Sequence, residues 1–185
     1  MNPNANLLVQ GKLQAKGVPN ANRRIYGESL AREVEKYKKG PIAENRALGE
    51  LDHPETPVVN LKNASHNIID LWWQGNDLYG KIEILPTPSG NILKTLFLNG
   101  IKVGISSRAM GSVTPIEENL VRVEDDLELI CWDFVSTPST YGSFMEPILK
   151  ESYTPAEVSS FNKYRKVDSL IGDIICLQTG VCCLR

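Results

Sequence analysis

Apolar and polar residues alternate along Leu7–Ala15 closely enough to predict a strand, with Leu7, Val9 and Leu13 on one side and Gly11 as a candidate bulge. Gly17-Val18-Pro19-Asn20 reads as a loop. The period then becomes helical over Glu28–Lys39: Leu30, Val34 and Tyr37 share a stripe, and Lys36, Lys38 and Lys39 gather near the C-terminal end, where the dipole favours cations. Gly40-Pro41 is the stop signal. A second alternating region follows. His66–Gln74 and Asp77–Leu85 flank the turn pair Gly75-Asn76, which predicts a hairpin with Leu78, Gly80, Ile82 and Ile84 on one face. Trp72 and Trp73 point to opposite faces, so one of them is expected in the main core.

Ser89 is the expected cap of a short helix over Asn91–Leu98, which Asn99-Gly100 ends. Ile101–Ser106 reads as a strand with Ile101, Val103 and Ile105 on one face. Ser112–Glu118 reads as a loop, Leu120–Val123 as a short strand and Glu124-Asp125-Asp126 as an acidic turn. Leu127–Val135 is a further strand, with Leu127, Leu129, Cys131 and Asp133 on one side and Glu128, Ile130, Trp132 and Phe134 on the other. The Ser/Thr/Pro/Gly-rich segment 136–143 closes this part. From Glu146 the character changes: Thr154-Pro155-Ala156-Glu157 is a capping box opening a helix to about Val167, and the last residues are apolar and cysteine-rich. The organisation expected is a main domain over 1–149 and an appendage over 150–185.

Composition narrows the class without naming it. The chain has 185 residues, 42% of them hydrophobic and 23% charged, with a net charge of −2. That balance is ordinary for a globular protein and predicts no nucleic-acid partner. Every apolar run is shorter than the roughly 18 residues a membrane helix needs, and the polar N-terminus has no signal-peptide pattern, so a cytoplasmic protein without membrane contact is expected. Of the four cysteines, Cys131 lies alone and Cys176, Cys182 and Cys183 crowd the tail, a spacing that suits neither zinc nor a disulfide framework. No internal repeat, Walker loop, dinucleotide fingerprint or CxxC is present.

The chemistry-bearing residues are few. Val103–Gly111 presents Ser106, Ser107 and Arg108 after a short apolar run, and if the strand persists the two hydroxyls face opposite ways. Gly104 beside them leaves room for a substrate backbone. A serine needs a base, and only His53 and His66 exist. His66 opens a strand without acidic company and reads as structural or exposed. His53 sits in Gly49-Glu50-Leu51-Asp52-His53-Pro54-Glu55, the densest cluster in the chain, where it could serve as base, metal ligand or surface loop residue. Asp133 is a carboxylate in an otherwise apolar run; it is either a surface residue at a strand end or a buried group that needs a partner. A triad of Ser106 or Ser107, His53 and one of several carboxylates is permitted, in an order unlike the α/β-hydrolases, and the Gly-x-Ser-x-Gly elbow is only half matched.

Four blocks in this order carry a resemblance: Asn22-Arg23-Arg24-Ile25-Tyr26, Ala47–Pro54, Trp72–Gly80 and Gly104-Ile105-Ser106-Ser107-Arg108. Together they resemble the prohead core protein proteases of tailed myoviruses, capsid maturation enzymes related to the herpesvirus assemblins, over about residues 5 to 150. The resemblance implies an α+β fold, a mostly antiparallel barrel-like sheet flanked by helices, as in the herpesvirus proteases. It places the catalytic histidine on His53, the nucleophile on Ser106 with Ser107 as the alternative, and the third member on Asp133, with Ser107 and Arg108 near the oxyanion or substrate. Glu50, Asp52 and Glu55 remain alternative acids. The family commonly continues Arg-Gly after the serine pair, whereas Ala109 stands here, a departure that bears on the turn presenting the oxyanion donors.

The implied activity is cleavage of scaffold, core and capsid precursors inside the prohead in the host cytoplasm, often after Glu in Leu/Ile-x-Glu. It requires no cofactor and no metal, and the enzymes act as oligomers. Leu149-Lys150-Glu151 at the domain edge marks Glu151 as the self-cleavage site, although Ile42-Ala43-Glu44 and Leu48-Gly49-Glu50 match the same pattern. A non-enzymatic virion or scaffold component on the same fold is the competing class, and a metal-dependent hydrolase built on His53 is a third reading.

Overall fold

The computed structural model describes residues 6–148. In chain order the elements are β1 (Leu8–Ala15), β2 (Arg24–Ile25), α1 (Glu28–Tyr37), β3 (Leu48–Glu50), β4 (Ala64–Gln74), β5 (Asp77–Ile84), α2 (Pro88–Leu98), β6 (Gly104–Met110), β7 (Val113–Glu117), β8 (Leu120–Val123), β9 (Glu128–Val135) and β10 (Glu146–Pro147). The strands form a five-stranded sheet, β10-β1-β5-β4-β3, a three-stranded sheet, β2-β8-β7, and a two-stranded ladder, β6-β9. Every pairing is antiparallel except β2 with β8. Single bridges join the sheets, Leu51 to Phe134 and Gly104 to Phe144. Among the described residues the fold is therefore mostly sheet with two α-helices, and the strands do not close into the expected barrel.

The core explains which face of β9 is left for chemistry. In β5, Leu78, Gly80, Ile82 and Ile84 are all buried, as the alternation predicts. Leu30, Val34 and Tyr37 of α1 are buried likewise, and Tyr37 meets Trp132 of β9 edge-on at 5.2 Å between ring centroids. From α2, Phe97 meets Phe134 edge-on at 5.7 Å. Burying each such side chain stabilises the fold by about 1.5–3 kcal/mol, with about 0.5–1.5 kcal/mol more for the ring pairing. Both helices thus grip the Trp132/Phe134 face of β9. Cys131 and Asp133 are turned to the other side.

Several local expectations shift. Gly11 is not a bulge: it lies opposite Gly80, the register slips between Lys12 and Gln14, and a Cβ at Gly11 would come within 2.7 Å of the Phe144 carbonyl. Helix α1 ends at Tyr37 and continues as a π-turn over Lys38–Ile42, because Pro41 has no N–H to donate and the ring disfavours an ordinary turn. Thr87, not Ser89, caps α2: its hydroxyl accepts from the Gly90 N–H at 3.0 Å, and Pro88 takes the first turn. Strand β6 begins at Gly104 rather than Ile101, which is 51% exposed, and it persists to Met110. The region read as a loop before β8 contains β7, whose residues are all exposed and so show no alternation. Trp73 packs against the core while Trp72 stacks on Tyr79, the split the strand period requires. The capping box at Thr154, the tail cysteines and Glu151 lie outside the described residues.

Candidate active site

Strand β3 was not foreseen, and it delivers the histidine. Leu48-Gly49-Glu50 pairs with the start of β4, and the chain then runs alongside β9: Leu51 bridges Phe134 in parallel, and the Asp52 N–H donates to the Phe134 carbonyl at 2.9 Å. Gly49 makes this approach possible, since a Cβ there would lie 2.1 Å from the Trp132 carbonyl oxygen and 2.5 Å from the His66 ring. Asp52 adopts φ 68°, a left-handed conformation that aspartate tolerates better than most residues, and the chain turns into His53. His53 Nδ1 comes to rest 2.9 Å from Asp133 Oδ2. The imidazole is 40% exposed; the carboxylate is fully buried.

Asp133 is therefore no surface residue, and its partners are specific. Oδ1 accepts from the Glu50 N–H at 2.9 Å and from Arg108 Nη2 at 3.0 Å. Oδ2 lies 3.0 Å from Arg108 Nε as well as near His53, yet neither donor is aligned on it, so Oδ2 has no well-directed hydrogen bond. Arg108 also donates through Nη2 to Glu50 Oε1 at 2.9 Å and through Nη1 to the Thr56 carbonyl at 2.8 Å. Its guanidinium is buried and turned inward, clamping the loop that carries His53 onto Asp133. Only its backbone is left for any oxyanion or substrate role.

The electrostatics follow from this cluster. Burial works against the charge on Arg108, but the Cys131, Glu50 and Asp133 groups outweigh it and push the guanidinium above its ordinary range. Burial likewise opposes ionisation of Glu50, and the Asn60 N–H together with Arg108 outweighs it, holding that carboxyl below the usual range. Burial and the Asp133 charge push the Cys131 thiol up to about 12, so it stays protonated. One cation faces two carboxylates, leaving one excess negative charge beside His53.

Of the two readings left open for His66, structural or exposed, the structure selects the first. It is wholly buried, with Nδ1 2.9 Å from the Ser65 hydroxyl and Nε2 3.0 Å from the Trp132 carbonyl. Burial pushes its pKa down to about 3, so it is neutral and ties β4 to β9.

The two serines take opposite faces. In the β6-β9 ladder Ser106 is paired with Asp133, Ser107 with Trp132 and Arg108 with Cys131. Directly opposed residues share a face, so Ser106, Arg108 and Asp133 lie together and Ser107 does not. The Ser106 and Ser139 hydroxyls are 3.0 Å apart, and no described hydrogen bond joins His53 to either strand serine. His53, Ser106 and Ser107 nevertheless border one cavity of about 260 Å³, walled by Asn22, Arg24, Tyr26 and Thr137–Ser139. Gly104 leaves no space for a substrate backbone, because Pro138 fills it: a Cβ at Gly104 would meet that ring at 2.6 Å. Ser139 and Thr56 were not singled out from the sequence; the Ser/Thr/Pro-rich composition of 136–143 was the only signal for the former.

Of the acids near His53 in sequence, Glu50 is occupied by Arg108 and the Asn60 N–H. Asp133 is the carboxylate in contact with the imidazole. Among the described residues no cluster of three or more His, Cys, Asp or Glu is arranged to hold a metal ion.

A histidine that meets a buried carboxylate through Nδ1 and shares a cavity with strand hydroxyls has the parts of a serine hydrolase. The chain belongs to the prohead core protein serine protease family, whose model matches residues 2–154. It is 30% identical over 164 residues to the prohead core protein protease of Enterobacteria phage T4, covering 85% of this chain and 77% of that protein. It is similar in structure to the bacteriophage T4 capsid assembly protease, with a TM-score of 0.67 and 30% identity over 72% of this chain and 84% of the other.

Proposed function

We propose that this chain is the serine endopeptidase of phage capsid maturation, cutting core, scaffold and capsid precursor proteins inside the prohead, in the host cytoplasm. The observation that carries this reading is the 2.9 Å contact of His53 Nδ1 with Asp133 Oδ2, on the face that Asp133 shares with Ser106. Ser106 is the nucleophile, His53 the general base and Asp133 the acid that holds the imidazole with Nε2 free. Ser106 Oγ attacks the peptide carbonyl while its proton passes to His53 Nε2, which returns it to the departing amine. Water then attacks the acyl-serine by the same route. Base catalysis of this kind contributes about 10²- to 10⁴-fold. Catalytic hydrogen bonds are often loose before substrate binds, so the resting Ser106–Ser139 contact and the unaligned Oδ2 fit an enzyme awaiting substrate.

The oxyanion donor is the Ser107 N–H. The Ile105 N–H donates to the Ser143 carbonyl, away from β9, and strand alternation turns the Ser107 N–H to that same open edge, while the Arg108 N–H points into the ladder. The Ser107 amide is thus the one to favour at a developing oxyanion, in a setting where such a donor is worth about 10²- to 10³-fold.

Cleavage follows Glu in Leu/Ile-x-Glu sequences and includes self-cleavage after Glu151, separating the protease domain, 1–149, from the tail. In support, β10 pairs with the edge of β1 and the Ile148 N–H donates to the Leu8 carbonyl, so the described chain is tied to the sheet up to residue 148. The enzyme acts as an oligomer on an assemblin-like framework.

Mass spectrometry of purified wild-type and Ser106→Ala chains tests the reading. Loss of the fragment beginning at Ser152 from wild type alone identifies enzyme, nucleophile and site together. A Ser106→Ala chain that still processes itself or a precursor sinks the nucleophile. A wild type inert on Leu-x-Glu peptides, even when assembled, favours a structural virion component.

A further inference from the structure

We infer that Arg24 is the specificity residue of this site: its guanidinium holds the carboxylate of an acidic substrate side chain seated between residues 20–24 and 137–139. This rests on the endopeptidase reading above and adds the group that reads the side chain whose carbonyl is attacked.

Arg24 borders two cavities that His53 and Ser107 also border, each of about 260 Å³. Its backbone is held, but among the described residues its side chain makes no ion pair and no hydrogen bond. The cavity shared with Ser106 is walled by hydroxyls and an amide (Asn22, Tyr26, Ser107, Thr137 and Ser139) and contains no carboxylate. Among the described residues lining it, Arg24 is the one permanently charged cation. The second cavity includes Glu55, so of the two it is the Ser106 side whose lining around Arg24 is free of carboxylates. A guanidinium presents a planar fork of donors matched to a carboxylate, and hydroxyls around it complete that anion's hydrogen bonds without competing for the charge.

The backbone that carries this exposed side chain is firmly held. Asn20 Oδ1 accepts from the N–H groups of Asn22 and Arg24, each at 3.0 Å, and the Asn20 N–H donates to the Arg24 carbonyl at 3.0 Å. Beyond the turn, Arg24 pairs with Val121 of β8. The Ala21 N–H donates to the Ser139 carbonyl at 2.8 Å, and Ser139 in turn touches the Ser106 hydroxyl. Turn, opposite wall and serine are thus linked through one short chain of bonds. A side chain gripped by Arg24 places its own carbonyl beside Ser106 without reordering the wall.

The experiment uses the full chain and two peptides that differ only in Glu or Gln at the cleaved residue, with kcat/KM read for each. Wild type is expected to prefer Glu by about 10- to 100-fold, the scale of charge-assisted hydrogen bonds. Arg24→Gln is expected to lose far more on the Glu peptide than on the Gln peptide, bringing the ratio near one, and Arg24→Lys to recover part of it. Asn22→Asp, which sets a carboxylate against Arg24 without removing it, lowers the ratio in the same direction and carries the test should Arg24→Gln not fold. A ratio unchanged in Arg24→Gln or Asn22→Asp, or equal losses on both peptides, overturns the role of Arg24 while leaving the endopeptidase intact. A wild type that cuts both peptides equally also overturns it, and one that cuts neither overturns the endopeptidase reading as well.

Discussion

Ser106 and Asp133 are direct cross-strand partners in the β6-β9 ladder, so a single antiparallel pairing carries both the hydroxyl and the carboxylate. The histidine arrives from elsewhere, on the chain leaving β3. The charged cluster around Asp133 holds those two parts together, and the separate roles of its members can be tested one at a time.

The two serines are expected to separate cleanly. Ser106→Ala should lower kcat on a cleavable peptide by about 10³-fold or more, the usual consequence of losing a nucleophile. Ser107→Ala should stay within about tenfold, because its hydroxyl lies on the other face and its main-chain N–H survives the change. Single-turnover rates of chains with matched thermal melts make the comparison; a larger loss in Ser107→Ala would reverse the assignment.

Asp133→Asn and Glu50→Gln should differ in kind. Each removes a partner of buried Arg108 and is expected to cost about 3 kcal/mol in urea unfolding, the scale of breaking a buried ion pair. Only Asp133 contacts His53, so Asp133→Asn should also lower kcat by about 10³- to 10⁴-fold, while Glu50→Gln should change kcat less than tenfold. Equal kcat losses in the two would make the network purely structural.

Gly49→Ala should be among the most damaging single-methyl changes in the protein. The added Cβ meets a backbone carbonyl at 2.1 Å and the His66 ring at 2.5 Å, with little freedom in either. Overpacking of that severity costs about 3 kcal/mol or more and displaces the strand that leads to His53. A melting temperature and activity near wild type would show that β3 docks differently.

Acidification should weaken the fold before the carboxylates titrate. His66 stays neutral in the folded protein down to about 3, whereas in the unfolded chain it takes up a proton near its ordinary value of about 6.5. The unfolded state therefore binds the extra proton between those values, and stability falls with falling pH by up to about 1.4 kcal/mol per unit. Glu50, held below its ordinary range, acts with the same sign beneath about pH 4.3: its contribution is present above that value and lost as pH falls through its lower folded value. Urea unfolding at pH 7.5, 6 and 5 reads the His66 slope. His66→Gln should flatten it by one proton's worth, and an unchanged slope would mean that another group is responsible.

By itself the sequence determined the features that repeat along the chain. The period of two in β5, the helical stripe of α1 and the Gly75-Asn76 turn are local, because a residue's face depends on its neighbours in the same element. It also required Ser106 and Ser107 to diverge, and the ordered blocks of resemblance pointed to His53, Ser106 and Asp133. Tertiary structure decided what depends on partners distant in sequence. β3 shows no strand period, since Gly49 and Glu50 are buried by contacts with β9, and the Glu50 N–H finds Asp133 across 83 positions. Thr87 outcompetes Ser89 as a cap because its hydroxyl also donates to the Ala64 carbonyl on β4. Arg108 turns inward because two carboxylates wait there, and among the described residues Arg24 stays unpaired because its turn holds it over a cavity whose lining has none. Alternation says that two side chains part; only the register of β6 against β9 says which one meets the acid.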